Sequence, residues 1–303
     1  MLENLFSVIL YFSLGYFSRK KELFKEEASD IFIKFIIYFS FPALVIYNIY
    51  HLKVDKSVIF IVATGWGVIL FSIFFSFFVG KALKMNRATH ASFIMMSTFG
   101  NTSFLGFPFQ MAFFGEEGLR YAVVFDQLAS FLPVSLLSPF ILAYGQDAKK
   151  VNIDLKKVIT FPPFITLILG FLLKPVVYIP DFVLNALHTL GMTVIPLALF
   201  SVGFNLRFSA VKERFKDVSL VLFIKMVFVP FLVTAFIIFI GIDLNLAVKS
   251  TILEICMPPM VLASIFVIGA KLDKDLAVSS VGLGILVSFI TVPLFVWILG
   301  KVS

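Results

Sequence analysis

Two carboxylates in this chain, Glu254 and Asp126, lie within apolar stretches long enough to be buried in a bilayer. Glu254 precedes Pro258-Pro259 by about one turn, and Asp126 is followed by Gln127. A carboxylate at that depth costs at least a few kcal/mol and marks a functional position by default. Either group could carry a proton, or could ligate Na⁺ together with carbonyls freed by a broken helix. The structural alternative for Glu254 is an ion pair with Lys225; for Asp126 it is a place near the membrane interface.

A second constellation is Gly100-Asn101-Thr102-Ser103-Phe104-Leu105-Gly106-Phe107-Pro108. Asn101 and Thr102 fall near the middle of an apolar segment, and Pro108 follows about two turns later. Proline removes a backbone donor and crowds the preceding turn, while Gly100 and Gly106 permit a bend. Broken backbone at lipid depth survives only when buried in protein or lining a watery cavity. Freed N–H groups at a half-helix start favour an anion, and freed carbonyls favour a cation. An ordinary proline kink leaves the adjacent Asn, the two glycines and the partner break near Glu254 without a reason. The substrate-binding candidates are Gly100, Asn101, Thr102, Pro108, Gln127, Pro258 and Pro259. Glu254 and Asp126 are the ion-coupling candidates, with a Na⁺ site conceivable near Asn101 and Glu254.

Such residues need membrane-length helices to carry them, and the composition supplies these. Of 303 residues, 60% are hydrophobic and 14% charged, where a soluble domain would be about a quarter charged. Apolar runs recur near 2–18, 30–50, 57–80, 88–114, 118–144, 158–175, 180–206, 216–240, 245–270 and 275–299. Each can cross a hydrocarbon core about 30 Å thick. Met1-Leu2-Glu3-Asn4 lacks the basic start of a signal peptide, so the first run is expected to stay as a helix. Cys256 is the only cysteine, and His51, His90 and His188 form no metal-ligand pattern; the histidines are expected on a solvated surface, and no resident cofactor is expected. Lys34 and Lys225 are expected to snorkel. The stripe Ser280, Gly284, Ser288 reads as helix packing.

Basic residues alternate from loop to loop. Odd-numbered connections carry Arg19, Lys20, Lys21, Lys25, Lys81, Lys84, Arg87, Lys149, Lys150, Lys156, Lys157, Arg207, Lys212, Arg214, Lys216, Lys271 and Lys274. Even-numbered ones carry only Lys53, Lys56, Arg120, Lys174 and Lys249. The positive-inside rule makes the odd connections cytoplasmic and puts both termini outside a cell membrane. The net charge of +7 is therefore a topology signal, not a nucleic-acid patch.

The two halves echo each other. Leu14-Gly15-Tyr16-Phe17 matches Leu169-Gly170-Phe171-Leu172, Pro42-Ala43-Leu44 matches Pro196-Leu197-Ala198, and Ser130-Phe131 with Pro133 matches Ser288-Phe289 with Pro293. The expected fold is an all-α polytopic membrane protein of about ten transmembrane helices. Residues 1–145 and 158–303 form two inverted five-helix repeats, joined by a cytoplasmic linker at 146–157. An odd number of spans per half inverts the second, as in many secondary carriers with a midplane site.

The run 100–108, with Phe114-Gly115-Glu116-Glu117-Gly118-Leu119, Phe125-Asp126-Gln127 and Pro196-Leu197-Ala198-Leu199-Phe200-Ser201-Val202-Gly203, resembles the auxin efflux carrier family. The resemblance runs end to end. It implies that helices 4 and 9 cross at their prolines and that the first, second, sixth and seventh helices form a scaffold. It also implies an elevator-like transport domain from the rest, and a homodimer. Asn101 matches that family's crossover asparagine, which contacts the substrate carboxylate. Glu254 with Met257, Pro258 and Pro259 is similar to the crossing helix of bile acid sodium symporters, where a glutamate helps bind Na⁺; this chain has Pro258-Pro259 where those carry Gln-Asn.

The combined expectation is a secondary carrier of a small organic anion, a mono- or dicarboxylate, coupled to H⁺ or Na⁺ or driven by the membrane potential. The alternative is a sodium-coupled symporter of larger amphipathic anions of the bile acid type. An intramembrane enzyme would need a motif such as His-Glu-x-x-His or paired midplane aspartates, and neither occurs.

Overall fold

Proline placement shapes this fold as much as hydropathy does. In the computed structural model, which describes residues 2–53, 55–147, 156, 159–206 and 214–302, four helices widen into π turns at Ile36–Ser40, Thr102–Gly106, Phe125–Phe131 and Ile224–Phe228. Each π turn stops two residues before a proline: Pro42, Pro108, Pro133 and Pro230. A proline ring clashes with the carbonyl four residues earlier. Those carbonyls, on Tyr38, Phe104, Ala129 and Met226, all lie inside the widened turns. The π turn therefore relieves the clash while the helix continues.

The helices are α1 (Leu2–Lys20), α2 (Ala28–His51), α3 (Lys56–Ala82), α4 (Arg87–Thr98), α5 (residues 102–114), α6 (residues 116–145), α7 (Pro162–Leu173), α8 (Asp181–Phe204), α9 (Phe215–Phe239), α10 (Leu246–Ile255), α11 (Val261–Gly269) and α12 (Lys274–Val302). Gly115, at φ +64°, separates α5 from α6. Six stretches are long and apolar enough to cross a membrane, namely α2, α3, the α5–α6 stretch, α8, α9 and α12. No strand occurs among the described residues. The expected crossings at 88–114 and 245–270 are each two half-helices, α4 with α5 and α10 with α11. Most of the expected linker at 146–157, with Lys149, Lys150 and Lys157, lies outside the described residues, as do Arg207 and Lys212.

Two compact units interleave the halves of the sequence. Unit 1 gathers Met1–Asp55, Ser103–Val123 and Asp154–Leu206, which hold α1, α2, α7 and α8 and most of the α5–α6 turn. Its helices meet backbone to backbone. A Cβ on Gly15 would lie 2.0 Å from the Phe200 carbonyl oxygen, and one on Gly203 would lie 2.0 Å from that of Phe12. Only glycine permits this reciprocal approach of α1 and α8. Ser40 and Thr193 bond hydroxyl to hydroxyl at 2.7 Å, linking the α2 π turn to the bend in α8.

Unit 2 gathers Lys56–Thr102, Val124–Ile153 and Arg207–Ser303, which hold α3, α4, most of α6, and α9 to α12. Asp273 organises one end of it. Its carboxylate accepts from Thr89 Oγ1 (2.7 Å), from Arg214 (2.7 Å) and from the Leu276 N–H (3.1 Å), and its own N–H donates to Ser92 (3.0 Å). The start of α4 is thereby tied to the start of α12. His90 is buried rather than solvated, placed between the Phe77 carbonyl and the Tyr144 hydroxyl, 2.9 Å from each. Lys34 is exposed. In both units large apolar side chains point outward, Phe74 (64% exposed) and Phe239 (87%) among them, as lipid contact requires.

Candidate solute site at the paired helix breaks

Both half-helices that lead to the site start alike. Asn86 caps α4 by accepting the Thr89 N–H at 3.0 Å, and Asn245 caps α10 by accepting the Val248 N–H at 3.1 Å. Fourteen residues after its cap, each chain reaches one member of a single antiparallel bridge, Gly100 opposite Pro259. There the Asn101 N–H donates to the Pro258 carbonyl (2.8 Å) and the Met260 N–H donates to the Phe99 carbonyl (2.9 Å). α5 and α11 then begin, so two helix N-termini and two C-termini converge on this bridge. Gly284 makes room for the diproline: a Cβ there would lie 2.8 Å from Pro259 Cδ. The stripe Ser280, Gly284, Ser288 is thus a packing face, as expected.

Gly100, Asn101, Thr102, Asp126, Gln127, Glu254, Pro258 and Pro259 are all buried and all belong to unit 2. Asp126 accepts the Thr102 hydroxyl at 2.5 Å and Gln127 Nε2 at 2.6 Å, one on each carboxylate oxygen. The Ser130 and Thr102 hydroxyls lie 3.0 Å apart. Asp126 is 2% exposed, buried within the protein. The Asn101 side-chain N–H₂ and the Gln127 side-chain oxygen have no hydrogen-bond partner among the described residues. Buried polar atoms usually have one, so both keep an unused hydrogen-bonding capacity.

Pro108 stands elsewhere. The crossing is at Pro258-Pro259 on one side but at Phe99–Asn101 on the other, because the π turn at Thr102–Gly106 absorbs Pro108 into α5. Pro108 belongs to unit 1, where it lines a cavity of about 430 Å³ with Ser7, Val8, Met111, Phe113 and Ile195.

Lys225 is the site residue the sequence reading misplaced. It is 4% exposed, and its ammonium donates to the Ile255 carbonyl at 2.7 Å. Snorkelling is overruled because this carbonyl is the last of α10, where a cation complements the helix dipole. A Cβ on Gly100 would lie 3.1 Å from Lys225 Nζ, so glycine makes room for the ammonium. Glu254 and Cys256 lie within its electrostatic reach. Three of the four π turns carry site residues: Thr102; Asp126, Gln127 and Ser130; and Lys225. A polar side chain three to seven residues ahead of a proline inside a helix is the signal that finds them.

A family model described as membrane transport protein matches residues 1–296. The chain belongs to this family, which is of the auxin efflux carrier type. It is similar to an uncharacterized transporter of Methanocaldococcus jannaschii, at 28% identity over 96% of each chain. It is also similar to one from Methanothermobacter thermautotrophicus, at 24% over 97% of this chain and 96% of the other. Another relative is the uncharacterized transporter YfdV of Escherichia coli, at 23% over 100% and 98%. The protein is a membrane-embedded transporter.

Proposed function

We propose that this transporter is a secondary carrier of a small organic anion, a mono- or dicarboxylate, working by elevator-type alternating access. The observation that carries the reading is the unpartnered Asn101 amide at a bridge where two helix N-termini converge. Asn101 Nδ2 and the first N–H groups of α11 would hold the carboxylate. Gly100, Thr102, Pro258 and Pro259 shape the cradle, and Gln127 offers its free oxygen to a substrate donor. Glu254 and the Asp126–Thr102–Gln127 cluster handle the coupling ion. Unit 2 would carry the solute while unit 1 stays in place. The resemblance supports inverted repeats and a homodimer, and the equal spacing from each Asn cap to the bridge supports the repeats. The charge alternation supports cytoplasmic odd-numbered loops. The membrane potential, worth about 2.3 kcal/mol per charge per 100 mV, favours export of a net anion.

For the coupling ion, the buried Lys225 ammonium favours H⁺ over Na⁺: it already supplies a positive charge beside Glu254 that a sodium-coupled importer of larger amphipathic anions would take from the ion. Flux of labelled carboxylates in proteoliposomes, with and without a Na⁺ gradient, separates the two. Asn101→Ala should lower flux about tenfold or more, as expected for losing a hydrogen bond to a charged group. Undiminished flux in a folded variant removes the assignment. Glu254→Gln should uncouple flux from its ion gradient, and unchanged gradient dependence counts against that role.

A further inference from the structure

The turn between α5 and α6 is fastened within unit 1 by a cluster that the transport reading does not use. Gly115, at φ +64°, kinks the chain out of its helical course, and the next residue, Glu116, reaches two helices. Its Oε1 lies 3.0 Å from His188 Nε2 on α8, and its Oε2 accepts the Tyr47 hydroxyl on α2 at 3.5 Å. The Tyr47 ring packs on both His188 and His51, with centroids 4.6 and 4.4 Å away. His51 Nδ1 lies 2.9 Å from the Tyr47 carbonyl. Arg120, on α6, lies within electrostatic reach of Tyr47, and Asp55, Glu117 and Arg120 lie within that of Tyr121. Lys174, after α7, donates to the Ile49 and Leu52 carbonyls at the end of α2. Gly115 also lines the cavity that Pro108 borders.

We propose that Glu116 and His188 form a proton-operated latch that holds the α5–α6 turn, and with it one wall of this cavity, against α2 and α8. A neutral imidazole gives Glu116 one ordinary hydrogen bond; a protonated one gives a charge-assisted pair, shorter and about twice as strong. Histidine changes charge between about pH 5 and 8. The latch therefore tightens as pH falls and loosens as pH rises. In the proposed orientation the turn faces the outside, so external pH sets its state. Both side chains are partly exposed, 31% and 37%, which keeps the effect modest.

The test is hydrogen exchange of the peptide covering 111–120 in the full-length protein, at pH 5.5 and pH 8, with each rate divided by that of an unstructured peptide at the same pH. The wild type should be about threefold more protected at pH 5.5, as fits a partly exposed ion pair. His188→Arg keeps the charge and should hold the protected value at both pH values, whereas His188→Gln should show the unprotected value at both. Glu116→Gln should abolish the pH dependence. Equal protection of the wild type at the two pH values overturns the latch, and so does a pH dependence that survives Glu116→Gln. Exchange reports the turn directly, so this outcome does not depend on the solute assignment.

Discussion

Unit 1 and unit 2 are built on opposite principles. Among the described residues, the buried Asp, Glu, Lys and Arg side chains are Asp126, Lys225, Glu254 and Asp273, and all four lie in unit 2. Unit 1 buries no charged side chain among them; its charged contacts, such as Arg19 with Glu26 and Glu116 with His188, stay partly exposed. Its tightest contacts are glycine against backbone. On the proposed reading, a body that keeps its place would need only close packing, whereas a body that handles ions would have to hold charge at depth and satisfy it there.

The sharpest way to break this contrast is Lys225→Met. Removing one partner of a buried charge group should cost about 3–5 kcal/mol of stability, read as a lowered unfolding midpoint in a denaturing-detergent titration. Adding Glu254→Gln should restore part of the loss; an unchanged midpoint in the single variant would mean that Lys225 compensates nothing. Next comes Gly203→Leu in unit 1, where a side chain must displace the α1 backbone at a cost of about 3 kcal/mol. Gly67→Ala, in open space on α3, is the matched control and should raise stability by about 0.5–1 kcal/mol. If both glycine variants behave alike, close packing does not distinguish unit 1. A smaller effect is expected for Thr102→Val, which deprives the buried Asp126 carboxylate of one donor, at about 1.5–3 kcal/mol. Equal melting of variant and wild type would show that the bond contributes nothing. Smallest is Trp66→Phe, about 1 kcal/mol, since Trp66 Nε1 donates at 2.9 Å to the Leu128 carbonyl inside a π turn. A loss above 3 kcal/mol there would make that turn a keystone, not a detail.

Much of the scaffold can be read from hydropathy, because a lipid-facing helix must be apolar along its whole length. The breaks can be read from Gly100-Asn101 and Pro258-Pro259, because few residues tolerate unwound backbone at such depth. The role of Pro108 cannot: the same ring that breaks a helix in one place is absorbed by a π turn in another, and only the carbonyl four residues upstream decides. Lys225 escaped for a related reason. Its chain is long enough to reach either the interface or the Ile255 carbonyl, and sequence spacing does not say which acceptor is nearer. His188 and Glu116 stand 72 positions apart, and nothing local in either segment announces their meeting.

The bridge opposite Gly100 has one more consequence. Unwound chain at lipid depth usually carries a liability at every peptide, an amide hydrogen that must find an acceptor or be stranded. Pro258 and Pro259 have no amide hydrogen to strand, so the residue that is a defect inside a helix becomes the safest choice between two of them. Putting alanine at both positions would keep the carbonyls and add two amide donors to a stretch that is buried throughout.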